Sequence, residues 1–127
     1  MTVFQIPDPF PTQGVPVPID AIESSFRMLG FIPGTSRNDL SPRLVLHPTR
    51  LEVKVTQTTY HEYTALKRVD YEPEGFLRRE KVILSFHDDS TTYYVKPSSA
   101  AVARELLRFC HRRGFALTAE AQQVLSA

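Results

Sequence analysis

Cysteine is nearly absent from this sequence: Cys110 is the one thiol in 127 residues. An intrachain disulfide is therefore excluded, and so are zinc sites built on cysteine pairs. A lone thiol fits a reducing compartment. Long apolar runs are also missing. Nothing approaches the roughly 20 consecutive apolar residues that a membrane-spanning helix needs. The first residues carry neither the positive region nor the apolar core of a secretory signal. The expectation is a soluble, cytoplasmic protein without a transmembrane segment. Charge of one sign does not dominate either. The 15 Lys and Arg against 14 Asp and Glu leave a formal charge of +1. No global field then draws the chain toward nucleic acid or an anionic membrane. No Gly-rich phosphate loop, nucleophile elbow, paired metal-histidine motif or internal repeat is found. A non-enzyme without cofactor or metal is expected.

What is present is an ordinary hydrophobic share, 42%, and a length that suits one domain, residues 1–127. The most legible stretch runs from Val82 to Gly114. Val82, Leu84 and Phe86 alternate with Lys81, Ile83 and Ser85, the period of a strand. His87-Asp88-Asp89-Ser90 supplies turn chemistry. Thr91 to Val95 is β-branched and aromatic, suited to a pleated surface. Pro97 ends that strand, and Ser98 or Ser99 can cap a helix. In that helix, residues 98–114, Val102, Leu106, Phe109 and Cys110 form one apolar stripe widened by Ala103 and Leu107. Gly114 suits the left-handed position that ends a helix, with Phe115 folding back onto Cys110.

The remaining chain is read around this unit. Residues 1–18 form a proline-rich arm, in which Thr2 to Ile6 can add an edge strand. Residues 19–31 read as a short helix: Asp20 and Glu23 match a capping box, and Ile22, Phe26 and Leu29 share a face. Pro33 to Pro42 reads as a polar loop. Residues 43–96 read as antiparallel strands. Arg43–His47 and Arg50–Gln57 form a hairpin turning at His47-Pro48-Thr49. Alternation slips near Ala65, which predicts a bulge or a break. Tyr71 to Gly75 is a turn, and Phe76 to Phe86 a strand. Thr118 can cap a last short helix, 118–126, with Ala121, Val124 and Leu125 apolar. Strands joined in sequence by short turns make meanders. The fold class is α+β. It is expected as a bent antiparallel sheet or partly open barrel of five to seven strands, with a C-terminal amphipathic helix and a short N-terminal one.

From Leu44 to Gly114 the chain resembles the bacterial pleckstrin-homology-like domains. The residues that carry the resemblance are RLVLHPTRLEVKV as an opening hairpin and YTALKRVDY with Leu66 and Val69 at the step into a strand. VILSFHDDSTTYYV then forms an acidic-turn hairpin before the helix from Ser99. The resemblance covers a little over half of the chain. It implies a strongly bent antiparallel sheet closed at one end by the helix. It departs from the family's seven strands, since five or six are counted here, and in its extra helices. A small open α+β sheet with helices on one face stays open as the alternative. The resemblance further implies a non-catalytic binding module for head groups, peptides or partner domains. Its phosphoinositide-binding members carry a basic cluster in the first hairpin loop. Here that loop offers Arg50, with Lys54 further along, which counts against head-group binding.

Several residues invite chemistry. His61-Glu62 are adjacent, but neighbours on a strand point to opposite faces. His87, Asp88 and Asp89 have the donors of a metal site and equally the composition of a turn. Cys110-His111 suggests a nucleophile and base, yet Cys110 lies on the apolar stripe and His111 about 100° away. The most suggestive surface is the basic face of helix 98–114: Arg104, Arg108, His111 and Arg112. Cations near a helix C-terminus also complement its dipole. Tyr60, Tyr63, Tyr71, Tyr93 and Tyr94 add a second hint. Tyr93 and Tyr94 face opposite sides of one strand, and an exposed tyrosine there suits an interface. Two classes of function follow. One is a non-catalytic binding or scaffold domain whose partner is another protein or a second copy of itself. The other binds nucleic acid or another polyanion through the arginine face.

Overall fold

The computed structural model describes residues 4–28, 31–87 and 91–126. Among them are nine strands: β1 (Val15–Pro16), β2 (Ile19–Met28), β3 (Ile32–Asn38), β4 (Arg43–Leu46), β5 (Arg50–Lys54), β6 (Thr58–Glu62), β7 (Leu66–Glu72), β8 (Lys81–Phe86) and β9 (Thr92–Pro97). Two helices follow, α1 (Ala100–Arg112) and α2 (Ala119–Ser126). None of the described helices is long and apolar enough to cross a membrane.

The strands form two antiparallel sheets that do not close into one barrel. One has the order β1-β4-β5-β6 and the other β3-β2-β9-β8-β7. Their inward residues share one core. Leu44, Leu46, Leu51 and Val53 come from the first sheet, and Ile22, Val82, Leu84 and Val95 from the second. Each such side chain contributes about 1.5–3 kcal/mol when it leaves water. The chain crosses between sheets at Tyr63–Ala65, a single 3-10 turn. This break is the slip anticipated near Ala65.

Helix α1 packs against both sheets: Leu106, Phe109 and Cys110 meet Leu46 and Leu51 on one side and Leu84 and Phe86 on the other. Its ends follow from sequence. The Ser99 hydroxyl accepts the Val102 N–H at 3.3 Å, satisfying an otherwise orphaned amide. Gly114 takes φ +77°, and the Phe115 N–H then returns to the Cys110 carbonyl at 3.0 Å. Thr118 caps α2 in the same way, through the Ala121 N–H.

The N-terminal part departs from expectation. Residues Ile19–Met28 form strand β2, not a helix; Leu29 and Gly30 lie outside the described residues. A spacing of four between Ile22 and Phe26 is one helical turn, but it is also an even number, so both point inward on a strand. Ser24 sits between them and hides the alternation. Pairing with β3 on one edge and β9 on the other decides for the strand. The supposed loop 33–42 holds all of β3 but its first residue, and turn chemistry begins only at Asn38. The Asn38 carboxamide oxygen accepts the Ser41 N–H at 2.9 Å, and its nitrogen donates to the Val55 carbonyl at 2.9 Å. With β1 drawn from the arm, nine strands replace the five to seven expected. Phe4 to Ile6 do not join a sheet edge, and residues 2 and 3 lie outside the described part. The β8–β9 hairpin is present, while the turn residues Asp88, Asp89 and Ser90 lie outside the described part.

Leu106 is 1% exposed at the centre of the α1 contact. Leu106→Asp would place an unpaired carboxylate there, a cost of several kcal/mol at least. Soluble expression should be lost, and a soluble Leu106→Asp protein that melts cooperatively would refute the placement.

Candidate binding surface

The exposed residues of α1 include Arg104, Arg108, His111 and Arg112, the stripe read from the sequence. The structure divides them. Glu105, 7% exposed, accepts the Ile6 N–H at 2.9 Å through Oε2 and Arg108 Nη1 at 3.0 Å through Oε1. Arg108 therefore neutralises a buried carboxylate, and that carboxylate latches the arm to the helix. Arg113 is also engaged. It donates to the Pro48 carbonyl at 2.9 Å, and its guanidinium lies 5.0 Å from the Phe109 ring centre and 5.3 Å from that of Phe10. Cation–π attraction of this kind is worth about 0.5–1 kcal/mol at an exposed site. Arg104 and Arg112 form no ion pair among the described residues. Arg112 and Arg113 stand over a cleft of about 240 Å³ between arm and helix, which also holds Ile6, Asp8, Phe10 and Phe109.

The tyrosines separate as well. Tyr93 is 5% exposed and belongs to the core. Its hydroxyl lies 2.8 Å from His61 Nε2 and 3.3 Å from Thr59 Oγ1, so this polar cluster bridges the two sheets. His61 also stacks on Phe86 at 4.4 Å. Glu62, on the opposite face, is exposed and makes no dyad with it. Tyr94 is half-buried on the outer face of the five-stranded sheet, 3.4 Å from the Ser25 hydroxyl. Beside it Lys96 bonds Glu23 at 2.8 Å and holds that carboxyl below its usual range. His87 is exposed, and no cluster of three or more metal-ligating side chains occurs among the described residues. Burial pushes the Tyr71 phenol up to about 12, helped by its bond to Glu80 at 2.7 Å. Burial likewise raises Tyr63, whose hydroxyl donates to the His47 carbonyl at 2.6 Å.

Two further features were not anticipated. Glu52 is buried on β5, with His47 Nε2 at 2.8 Å and Arg43 Nε at 2.9 Å. The more prominent one is the β7–β8 connection. Phe76 does not begin a strand; β8 begins at Lys81. Phe76 and Leu77 instead sit in a tight turn closed by Gly75 N–H to the Arg78 carbonyl at 3.0 Å and by the reverse bond at 3.1 Å. Both side chains are 90% exposed, and Leu77 has φ 59°. The available signal was their adjacency, since a strand inward on one face buries only one of two neighbours. Arg78 pairs with Glu72 at 3.7 Å and Arg79 with Asp20 at 2.6 Å. No protein-family model and no curated protein matches this chain.

Cys110 is 3% exposed, and burial pushes its thiol up to about 12 from an ordinary value of 9.0. Between those values the unfolded chain releases a proton that the folded chain keeps. Stability should then fall with rising pH, by up to about 1.4 kcal/mol per unit for this one group. Urea titrations across that window should show the slope in the native sequence and a shallower one in Cys110→Ala. A thiol reagent at neutral pH should label the folded protein slowly and the denatured protein fast. Fast native labelling would overturn the burial.

Proposed function

We propose that this chain is a non-catalytic binding module of pleckstrin-homology-like build that holds a protein partner on the β7–β8 turn. Two facing antiparallel sheets with a C-terminal helix packed on both support the build. The observation that carries the function is the exposure of Phe76 and Leu77 together. Each forgoes about 1.5–3 kcal/mol of burial. Leu77 adds the cost of a left-handed backbone, about 1–2 kcal/mol for a residue with a side chain. A glycine there would relieve the strain, so the turn displays apolar surface against its own stability. The flanking arginines are engaged by Glu72 and Asp20, which favours a protein pocket over an anionic bilayer. A photo-crosslinking phenylalanine analogue at position 76, used in cells of the source, tests this. One dominant protein adduct is expected, and it should vanish in Leu77→Gly while the melting temperature holds or rises. An adduct to the chain itself makes the partner a second copy, with light-scattering mass then rising with concentration. Lipid adducts alone, or none, would overturn the reading.

A second reading rests on Arg104 and Arg112, which have no carboxylate partner among the described residues. Here a polyanion lies along the exposed face of α1. Anisotropy of labelled duplex DNA at a series of salt concentrations should show binding that weakens with salt. Replacing both arginines with Gln should flatten the log–log slope by about 1.8, because two phosphates are then no longer neutralised. Adding Arg108→Gln should change the slope little, because Glu105 already holds that guanidinium. Binding that survives the double replacement unchanged lies elsewhere.

A further inference from the structure

The two sheets diverge at the end that carries the β5–β6 turn, and a cleft of about 240 Å³ opens between them. Its wall on the five-stranded sheet follows from register. Ser36, Ser24 and Tyr93 form one cross-strand row on β3, β2 and β9. In the same sheet Phe26 pairs with Gly34. A Cβ at Gly34 would stand 2.5 Å from the Phe26 ring, so the missing side chain makes room for that ring. Thr56 and Gln57 line the facing wall. At the base, the Tyr93 hydroxyl is fixed by His61 and Thr59.

Two properties select a ligand. No Asp, Glu, Lys, Arg or His lines the cleft among the described residues. An ion would leave water there without a counter-charge. The side chains of Ser24, Ser36, Thr56 and Gln57 make no hydrogen bonds among the described residues. A purely apolar ligand would strand these groups. The fitting occupant is neutral, rich in hydroxyls, and apolar on one face. We infer that this cleft is a binding site for a single neutral sugar ring, its C–H face on Phe26 and its hydroxyls on Ser24, Ser36 and Gln57. A cleft of about 240 Å³ has room for one ring or the terminal residue of a glycan.

The test is an amide-resolved NMR titration of the full chain with glucose, mannose, galactose and N-acetylglucosamine, each to high millimolar concentration. At least one should give saturable shifts at Ser24, Ser36, Thr56 and Gln57. Ser24→Ala and Gln57→Ala should each weaken that sugar about three- to tenfold, the value of one or two net hydrogen bonds. Gly34→Ala should weaken it too, by displacing the Phe26 ring. Unshifted amides outside the cleft report that each variant stays folded. The absence of saturable shifts with all four sugars would overturn the site. So would equal affinity in Ser24→Ala and Gln57→Ala. Shifts of the same amides at lower concentrations of inorganic phosphate or triglycine would overturn the ligand class.

Discussion

Two sheets that do not close leave apolar side chains open to water, and the burial of α1 against both of them covers that gap. Leu106, Leu107 and Phe109 supply the contact. The helix is held in place at several points. Ser99 fixes its start, Arg113 ties its end to the β4–β5 turn, and Glu105 joins it to the arm. A helix fixed in rotation presents a defined outer face. Arg113 is drawn off that face by the helix's placement, and Arg108 by its i,i+3 pair with Glu105.

Most of the chemically active side chains are consumed by the fold. Among the described residues each buried carboxylate has two donors: Arg108 and the Ile6 amide for Glu105, His47 and Arg43 for Glu52. The buried His61 meets Tyr93 across the sheets. A buried charge or hydroxyl without a partner is costly, so partners are drawn from distant parts of the chain. What remains for recognition is the residue set that the fold does not use. Among the described residues that set includes the Phe76-Leu77 turn, two arginines on α1, and the neutral polar groups where the sheets part.

These surfaces lie on different elements and differ in chemistry. The turn is apolar and flanked by satisfied ion pairs, the helix face is cationic, and the cleft is uncharged.

The sequence by itself determined the parts that depend on near neighbours. Helix α1 was legible because its apolar stripe, its Ser99 cap and the Gly114 ending all lie within one short segment. The β4–β5 and β8–β9 hairpins were legible because alternation and turn residues are local too. The arginine stripe was readable for the same reason, and so was the buried Cys110. Only the tertiary structure decided the rest. Ile22 and Phe26 fit a helix and a strand equally, and pairing with β3 and β9 chose between them. Tyr93 and Tyr94 were known to face opposite ways, but the sheet alone says which faces in. The i,i+3 pair of Glu105 with Arg108 is local, but the hold of Glu105 on the arm could not be seen, because its partner Ile6 is 99 residues away in sequence. Periodicity records which face of an element is apolar. It carries no information about which distant backbone or carboxylate completes that element, and those distant partners set which side chains stay exposed and unpaired.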